Sequence, residues 1–295
     1  MGTVVVIGNF DGAHVGHKAL LRTAGERAAG RKVIALTFWP HPLMVLAPER
    51  APELLLSLSE RIAALKTAGA DEVLVRAFTR EFAALPPQRF ITEVLLPLDP
   101  DMVVVGENFT FGDRARGDVA TLRDAGRFEV VVVPLAGVEG RVSSSTLIRA
   151  ALASGDVASA ASHLGRPFSV TGEVVRGEQR GRALGYPTAN LALPTDGTAL
   201  VPADGVYAGW LSTSEKPELR LPAAISVGSN PTFEHVSRRV EAHVIGHSDL
   251  ELYGKAVTVE FVTRLRAMVR FAATAELATQ LGQDVAAARA ALAAA

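Results

Sequence analysis

Two histidines three residues apart close the segment Gly8-Asn9-Phe10-Asp11-Gly12-Ala13-His14-Val15-Gly16-His17. It follows an apolar strand-like run over residues 4–7 and leads into a helical stretch. Gly8 and Gly12 let the backbone turn sharply and approach a ligand. A helix start offers unbonded N–H groups and a partial positive charge, which suits phosphate. At i,i+3 spacing, His14 and His17 can face the same way there. Two imidazole donors so placed can take up the charge that builds on a leaving pyrophosphate. A tight turn with two surface histidines is the plainer alternative. His-x-Gly-His directly after the first strand favours the phosphate reading. By itself the run Ser144-Ser145-Thr146-Leu147-Ile148-Arg149 reads most simply as a helix cap, with hydroxyls at the helix start and Arg149 one turn on.

The second half carries a different set. Gly177 is followed by Gln179-Arg180-Gly181-Arg182-Ala183-Leu184-Gly185-Tyr186-Pro187-Thr188-Ala189-Asn190. On composition this is a basic, Gly-rich loop, and such loops are commonly solvated turns. Glu241 in Val240-Glu241-Ala242-His243 sits on a strand-like run, where an outward-facing carboxylate is the ordinary reading. His243 and His247 are four apart, but the run between them reads as a strand end, so a shared metal face is not expected. Arg264, Arg266 and Arg270 lack interleaved stacking aromatics and read as a solvated face or the edge of a ligand site.

The elements that must position these residues fall into two rhythms. Strand-like runs at residues 4–7, 33–38, 72–75, 102–105 and 129–133 alternate with helical stretches at 18–29, 59–68, 87–95 and 144–153. Alternation implies a doubly wound α/β sheet, with ligands beyond the carboxyl ends of its strands. From about residue 166 strand and turn signals dominate, at 170–175, 205–211, 223–227, 240–245 and 256–265, with turns such as Asn230-Pro231. This reads as a small antiparallel barrel or sandwich. Residues 272–294 form an Ala-rich helix with Leu277, Leu281, Val285, Ala288 and Leu292 on one face. No internal repeat is found.

The chain has 295 residues, room for about two domains at roughly 150 residues each. Thirty basic against 31 acidic residues leave a net charge of -1, so no basic excess holds a nucleic-acid backbone or an anionic membrane. The absence of cysteine excludes disulfides, thiolate nucleophiles and zinc ribbons. There is no apolar run of spanning length and no signal-peptide pattern at the N-terminus, so a cytoplasmic protein is expected.

Taken together, the string from Gly8 to His17 resembles the HxGH nucleotidylyltransferases. It is most similar to the bacterial bifunctional riboflavin kinase/FMN adenylyltransferase family. Phe38-Trp39-Pro40-His41-Pro42, then Val104-Val105-Gly106-Glu107-Asn108-Phe109-Thr110-Phe111-Gly112, then Ser144–Arg149 agree in order. The Pro187-Thr188-Ala189-Asn190 run and Leu252-Tyr253-Gly254-Lys255 resemble the kinase module. The resemblance implies an adenylyltransferase domain at 1–165 and a six-stranded antiparallel kinase barrel with a C-terminal helix at 166–295. It implies ATP at Gly8, Asn9, Phe10, Asp11, Gly12, His14, His17, Ser145, Thr146 and Arg149, and flavin at His41, Asn108 and Phe109. His14, His17 and Arg149 would serve catalysis there. In the kinase it implies ATP at Gly177, Gly181, Arg182, Thr188 and Asn190, magnesium on Thr188 and Asn190, and Glu241 as the base. Riboflavin, FMN, FAD and ATP would be the ligands, with no nucleic acid and no membrane. Three departures stand out. Relatives usually carry a segment before the first strand, Ser143 replaces the usual Ile or Val, and Met268 or a neighbour replaces an acidic residue, which bears on the flavin-ring contacts.

Overall fold

Val4, Val5, Val6 and Ile7 are all buried, which sets β1 (Thr3–Ile7) inside a sheet rather than at its edge. In the computed structural model it pairs in parallel with β2 (Lys32–Trp39) on one side and β4 (Pro100–Gly106) on the other. β3 (Glu72–Ala77) and β5 (Glu129–Val133) complete the order β3-β2-β1-β4-β5. Residues 2–177, 181, 184–193, 200–229, 238–247 and 250–294 are described. Gln179, Arg180, Arg182 and Ala183 of the Gly-rich stretch and the turn at Asn230-Pro231 lie outside them. The chain divides into two compact units, Met1–Ser145 and Thr146–Ala295.

In the first unit both faces of the sheet are covered at its centre, which is why β1 and the middles of β2 and β4 are apolar runs. Val4 and Val6 pack with Leu20, Leu21 and Ala24 of α1 (Val15–Arg27). Val5 and Ile7 pack with Leu36, Phe38, Phe90 and Leu95 on the opposite face. The strand order runs outward from β1 to β3, then resumes on the other side with β4. The crevice beyond the ends of β1 and β4 is therefore the switch point, where such sheets take their ligands.

After β2 come α2 (Pro42–Leu46) and α3 (Leu58–Thr67). A capping box starts α3: Glu60 N donates to Ser57 Oγ, and Ser57 N donates to Glu60 Oε2 at 2.9 Å. The expected helix at 87–95 is broken. After the short α4 (Arg80–Ala83), α5 (Pro87–Phe90) gives way to a wider turn over Ile91–Leu95 and a tight one over Leu96–Leu98. Pro97 has no N–H to return to the preceding turn. Besides α2 and α4, two further helices lie outside the stretches expected from periodicity, α6 (Val119–Asp124) and α8 (Val157–Leu164). Each is too short to show a stripe and is held by its cap, Asp118 or Asp156. Between them, β6 (Gly137–Val138) and β7 (Arg141–Val142) form a small hairpin. α7 (Ser145–Ser154) follows it.

The second unit is a closed barrel, which decides between barrel and sandwich. Its strands are β8 (Phe168–Val175), β9 (Ala189–Ala192), β10 (Gly205–Thr213), β11 (Lys216–Ser229), β12 (Arg238–Val244) and β13 (Ala256–Arg266), ordered β10-β11-β12-β9-β8-β13. β9 begins at the end of the Gly-rich run, where the sequence predicts a loop. Its four residues become a strand through pairing with β8 and β12 on its two sides. α9 (Thr274–Ala293) closes one flank, with Ala288 and Leu292 packed on Ala208 and Ile245. α7 from Thr146 onward belongs with the barrel unit, where Ala203 N donates to Leu152 O and Arg264 to Ser154 O.

Candidate functional site

The turn from β1 to α1 is held by its interior rather than by its glycines alone. Gly8 N donates to Leu36 O at 3.1 Å. Phe10 is fully buried at φ 53, Gly12 takes φ 83 and Ala13 φ 44. Phe10 and Ala13 thus hold left-handed backbone without being glycine, which is tolerated only where the surroundings enforce it. Asp11 is buried: its carboxylate accepts from Leu55 N at 3.1 Å and pairs with Arg61 at 3.5 Å. Phe10 and Asp11 therefore shape the loop from within. Asn9 is exposed, and its carbonyl accepts from Thr37 and Arg61.

The histidines come together as their spacing predicts. His14 is the N-cap of α1, and its ring stacks on that of His17 with centroids 3.6 Å apart and planes 18° from parallel. The Phe10 ring meets His17 edge-on at 5.2 Å. Gly16 leaves room for the stack, since a Cβ there would press on the His14 ring at 3.1 Å. His17 Nδ1 is shut off from solvent with no hydrogen-bond partner. Burial, then His14, then Arg61 hold the His17 pKa well below 6.5, so the ligand-free imidazole is neutral at neutral pH.

Other site residues expected from the sequence gather at the same end of the sheet. His41 lies just beyond β2, its Nδ1 accepting from Leu43 N at 3.2 Å to cap α2. Asn108 is exposed just beyond β4, and Phe109 stacks on Phe111 at 5.6 Å. Ser145 Oγ donates to the carbonyl of Asp11 at 2.8 Å, tying the start of α7 to the loop. Thr146 and Arg149 follow on α7, beyond the boundary of the first unit. Arg61 on α3 was not foreseen. The Ser57/Glu60 cap was a readable start signal, but nothing in the sequence linked that helix to Asn9.

In the barrel unit the polar residues of β9 and β12 meet. Asn190 and Glu241 are opposite one another in the ladder. Thr188 Oγ1 donates to Glu241 Oε2 at 3.2 Å, and Asn190 Nδ2 donates to Thr188 Oγ1 at 3.2 Å. A Cβ on Gly177 would collide with the Asn190 side chain, and one on Gly181 with the Tyr186 carbonyl. Two cavities flank this cluster. One of about 390 Å³ is lined by Gly177, Thr188, Asn190, His247 and Tyr253. The other, about 250 Å³, is lined by Tyr186, Thr188, Glu241, Arg266 and Met268, and by Leu277, Leu281 and Val285 of α9. Thr188 belongs to both walls.

His243 Nδ1 lies 2.8 Å from Pro187 O, so the two barrel histidines have separate places. Arg264 donates to Asp204 O at 2.6 Å, and Arg266 forms a two-pronged pair with Asp284 at 2.7 and 2.6 Å. Arg266 is thus the edge of a cavity rather than part of a solvated face. The Met268 sulfur lies 3.8 Å from the Ser226 hydroxyl at the rim of that cavity.

Known proteins match both parts of the chain. The FAD synthetase family matches residues 1–147 and the riboflavin kinase family residues 164–292. The bifunctional riboflavin kinase/FMN adenylyltransferase of Escherichia coli strain K12 is 38% identical over 292 residues, 96% of this chain and 90% of that protein. Its counterpart in Bacillus subtilis strain 168 is 32% identical, with 96% and 90% covered. A solved structure from Streptococcus pneumoniae, described as a macrolide-efflux protein, superposes with a TM-score of 0.90 at 34% identity and covers 98% of this chain and 94% of that one. Among the described residues no helix is long and apolar enough to cross a membrane. With a stacked His14–His17 pair at the switch point of one unit and a Thr188–Asn190–Glu241 cluster between two cavities of the other, the chain belongs to the bifunctional riboflavin kinase/FMN adenylyltransferase family.

Proposed function

We propose that this chain makes FAD in two ATP-dependent steps, phosphorylating riboflavin in the barrel and adenylylating FMN at the β1–α1 turn. The observation that carries the kinase reading is the Thr188–Glu241 hydrogen bond on the wall between two cavities. ATP takes the cavity of Gly177 and Asn190, and riboflavin takes the apolar one beneath α9. The ribityl 5′-hydroxyl attacks the γ-phosphorus and ADP leaves. An alcohol is too weak an acid to ionise first, so Glu241 accepts its proton late, as the new P–O bond forms. Thr188 holds Glu241 in place until then. Thr188 and Asn190 offer hard oxygen donors beside that carboxylate, and the missing Cβ of Gly177 keeps the space beside Asn190 open. This donor set fits magnesium, which when bound there neutralises phosphate charge.

In the first unit an FMN phosphate oxygen attacks the α-phosphorus of ATP in line, and pyrophosphate departs. No covalent enzyme intermediate is needed. His14, His17 and the free N–H groups of α1 receive the charge that grows on the leaving group. Gly8, Asn9 and Gly12 bring the backbone close to the nucleotide, Phe10 and Asp11 shape the loop from within, and Ser145, Thr146 and Arg149 complete the phosphate cradle. His41, Asn108 and Phe109 flank the flavin. Arg182 extends the kinase ATP site and lies outside the described residues. We assign the adenylyl step to residues 1–165 and the kinase step to 166–295, and place the protein in the cytoplasm with its ATP supply.

The test is a chromatographic time course from riboflavin, ATP and magnesium. FMN appears first and FAD follows. His17→Ala stops FAD formation and spares FMN formation. Glu241→Gln slows FMN formation by about 10²- to 10⁴-fold, the usual worth of a positioned base, and spares FAD formation from supplied FMN. Loss of both activities in either folded variant overturns the two-site assignment.

A further inference from the structure

Arg61 is the largest of the fully buried side chains. A buried guanidinium is costly unless its surroundings answer it, and an apolar side chain of similar volume commonly serves stability as well. What this one grips is informative. Nη1 donates to Asn9 O at 2.9 Å and lies 3.4 Å from Phe38 O, Nη2 pairs with Asp11 at 3.5 Å, and the group lies over the Trp39 ring at 5.3 Å. Asn9 and Asp11 flank Phe10, the residue held at φ 53. Phe10 in turn meets His17 edge-on.

We propose that Arg61 is the positioning residue of the adenylyl-transfer site, clamping the residues on both sides of Phe10 so that His14 and His17 are set side by side at the start of α1. A planar fork with several donors can hold two carbonyls and a carboxylate together, which a lysine cannot. The clamp also has an electrostatic side. The charged and titratable groups facing His17 are His14 from the loop and Arg61 from α3, with Asp11 partnering Arg61. Arg61 thus helps to keep the ligand-free imidazole neutral.

The inference rests on the adenylyl-transfer reading, so His17→Ala is assayed in parallel. In the full-length chain, Arg61→Lys keeps the charge and loses the fork. Its kcat for FAD formation from FMN falls about 10²-fold, the cost of a misplacement near 1 Å, with KM for ATP and the kinase rate within twofold. The paired change Asp11→Asn with Arg61→Met removes both buried charges together, so no lone charge remains. It lowers the same kcat, and the His17 resonance in NMR titrates at a changed pH. Adenylyl transfer within twofold of the parent in folded Arg61→Lys, beside an inactive His17→Ala, overturns the inference. An active His17→Ala overturns the functional reading instead. If the paired variant does not fold, Arg61→Lys decides alone through the kcat-against-KM split.

Discussion

At the scale of the residue, the two sites differ in how their reactive groups are made ready. Glu241 lines the second cavity and is held by the hydroxyl of Thr188, which lines both. His17 is held by burial, ring stacking and a buried cation, and stays neutral well below 6.5. This has a consequence for stability. Between the folded value and 6.5 the unfolded chain binds a proton at His17 that the folded chain does not, so stability falls as pH drops through that window. The fall stops once the folded imidazole protonates, and its slope is at most about 1.4 kcal/mol per pH unit. His17→Gln is expected to remove this part of the slope in thermal melts between about pH 7.5 and 5.5. An unchanged slope would mean that the imidazole is not held neutral. His14 and His17 were legible as a pair from spacing alone. Arg61 was not, because its partners at Asn9 and Asp11 lie some 50 residues earlier in the chain and meet it only when α3 is brought to the β1–α1 turn.

At the scale of the element, α9 shows how one helical face is shared between two tasks. Its apolar positions share one stripe in the sequence. In the structure Ala288 and Leu292 pack on the barrel, Leu277 and Leu281 line the second cavity, and Val285 does both. The helix is fastened where these parts meet. Asp284 accepts both prongs of Arg266 from β13, and Gln280 donates to the same carboxylate at 3.0 Å. Removing one partner of a fully buried pair costs about 3–5 kcal/mol. Arg266 keeps 22% of its side chain in water, so Asp284→Asn is expected to cost about 2 kcal/mol. The measurement is denaturant unfolding followed by kinase assay. Weaker riboflavin binding with unaltered adenylyl transfer would accompany the loss, and no change in either would show that the pair does not fasten the helix. In the sequence Arg266 reads as one of a cluster and Asp284 carries no signal, since nothing in one dimension puts them opposite each other.

At the scale of the whole molecule, the chain divides into two units with separate cores. One step transfers a γ-phosphoryl group to an alcohol, the other an adenylyl group to a phosphate. Each unit therefore needs its own arrangement around ATP. If FMN passes between them through solution, His17→Ala protein mixed with Glu241→Gln protein restores FAD formation from riboflavin, at a rate that rises with the concentration of the second. Failure to restore it, with each single activity intact, would show that FMN must be handed over within one chain.

The sequence by itself determined the two-part organisation, the alternation that makes a parallel sheet, and the short strings from Gly8 to His17 and from Pro187 to Asn190. These are local: turn glycines, a helix start and a run of buried strand are set by neighbours a few residues away. Tertiary structure decided the rest. It turned Ala189–Ala192 into a strand by pairing it on both sides, closed six strands into a barrel, and set Glu241 opposite Asn190. It also drew Arg61 under the first site and Asp284 under the second. The physical reason is the same in each case. A buried charge or a four-residue strand is stable only when distant partners satisfy its hydrogen bonds, and the identity of those partners follows from packing, not from spacing along the chain.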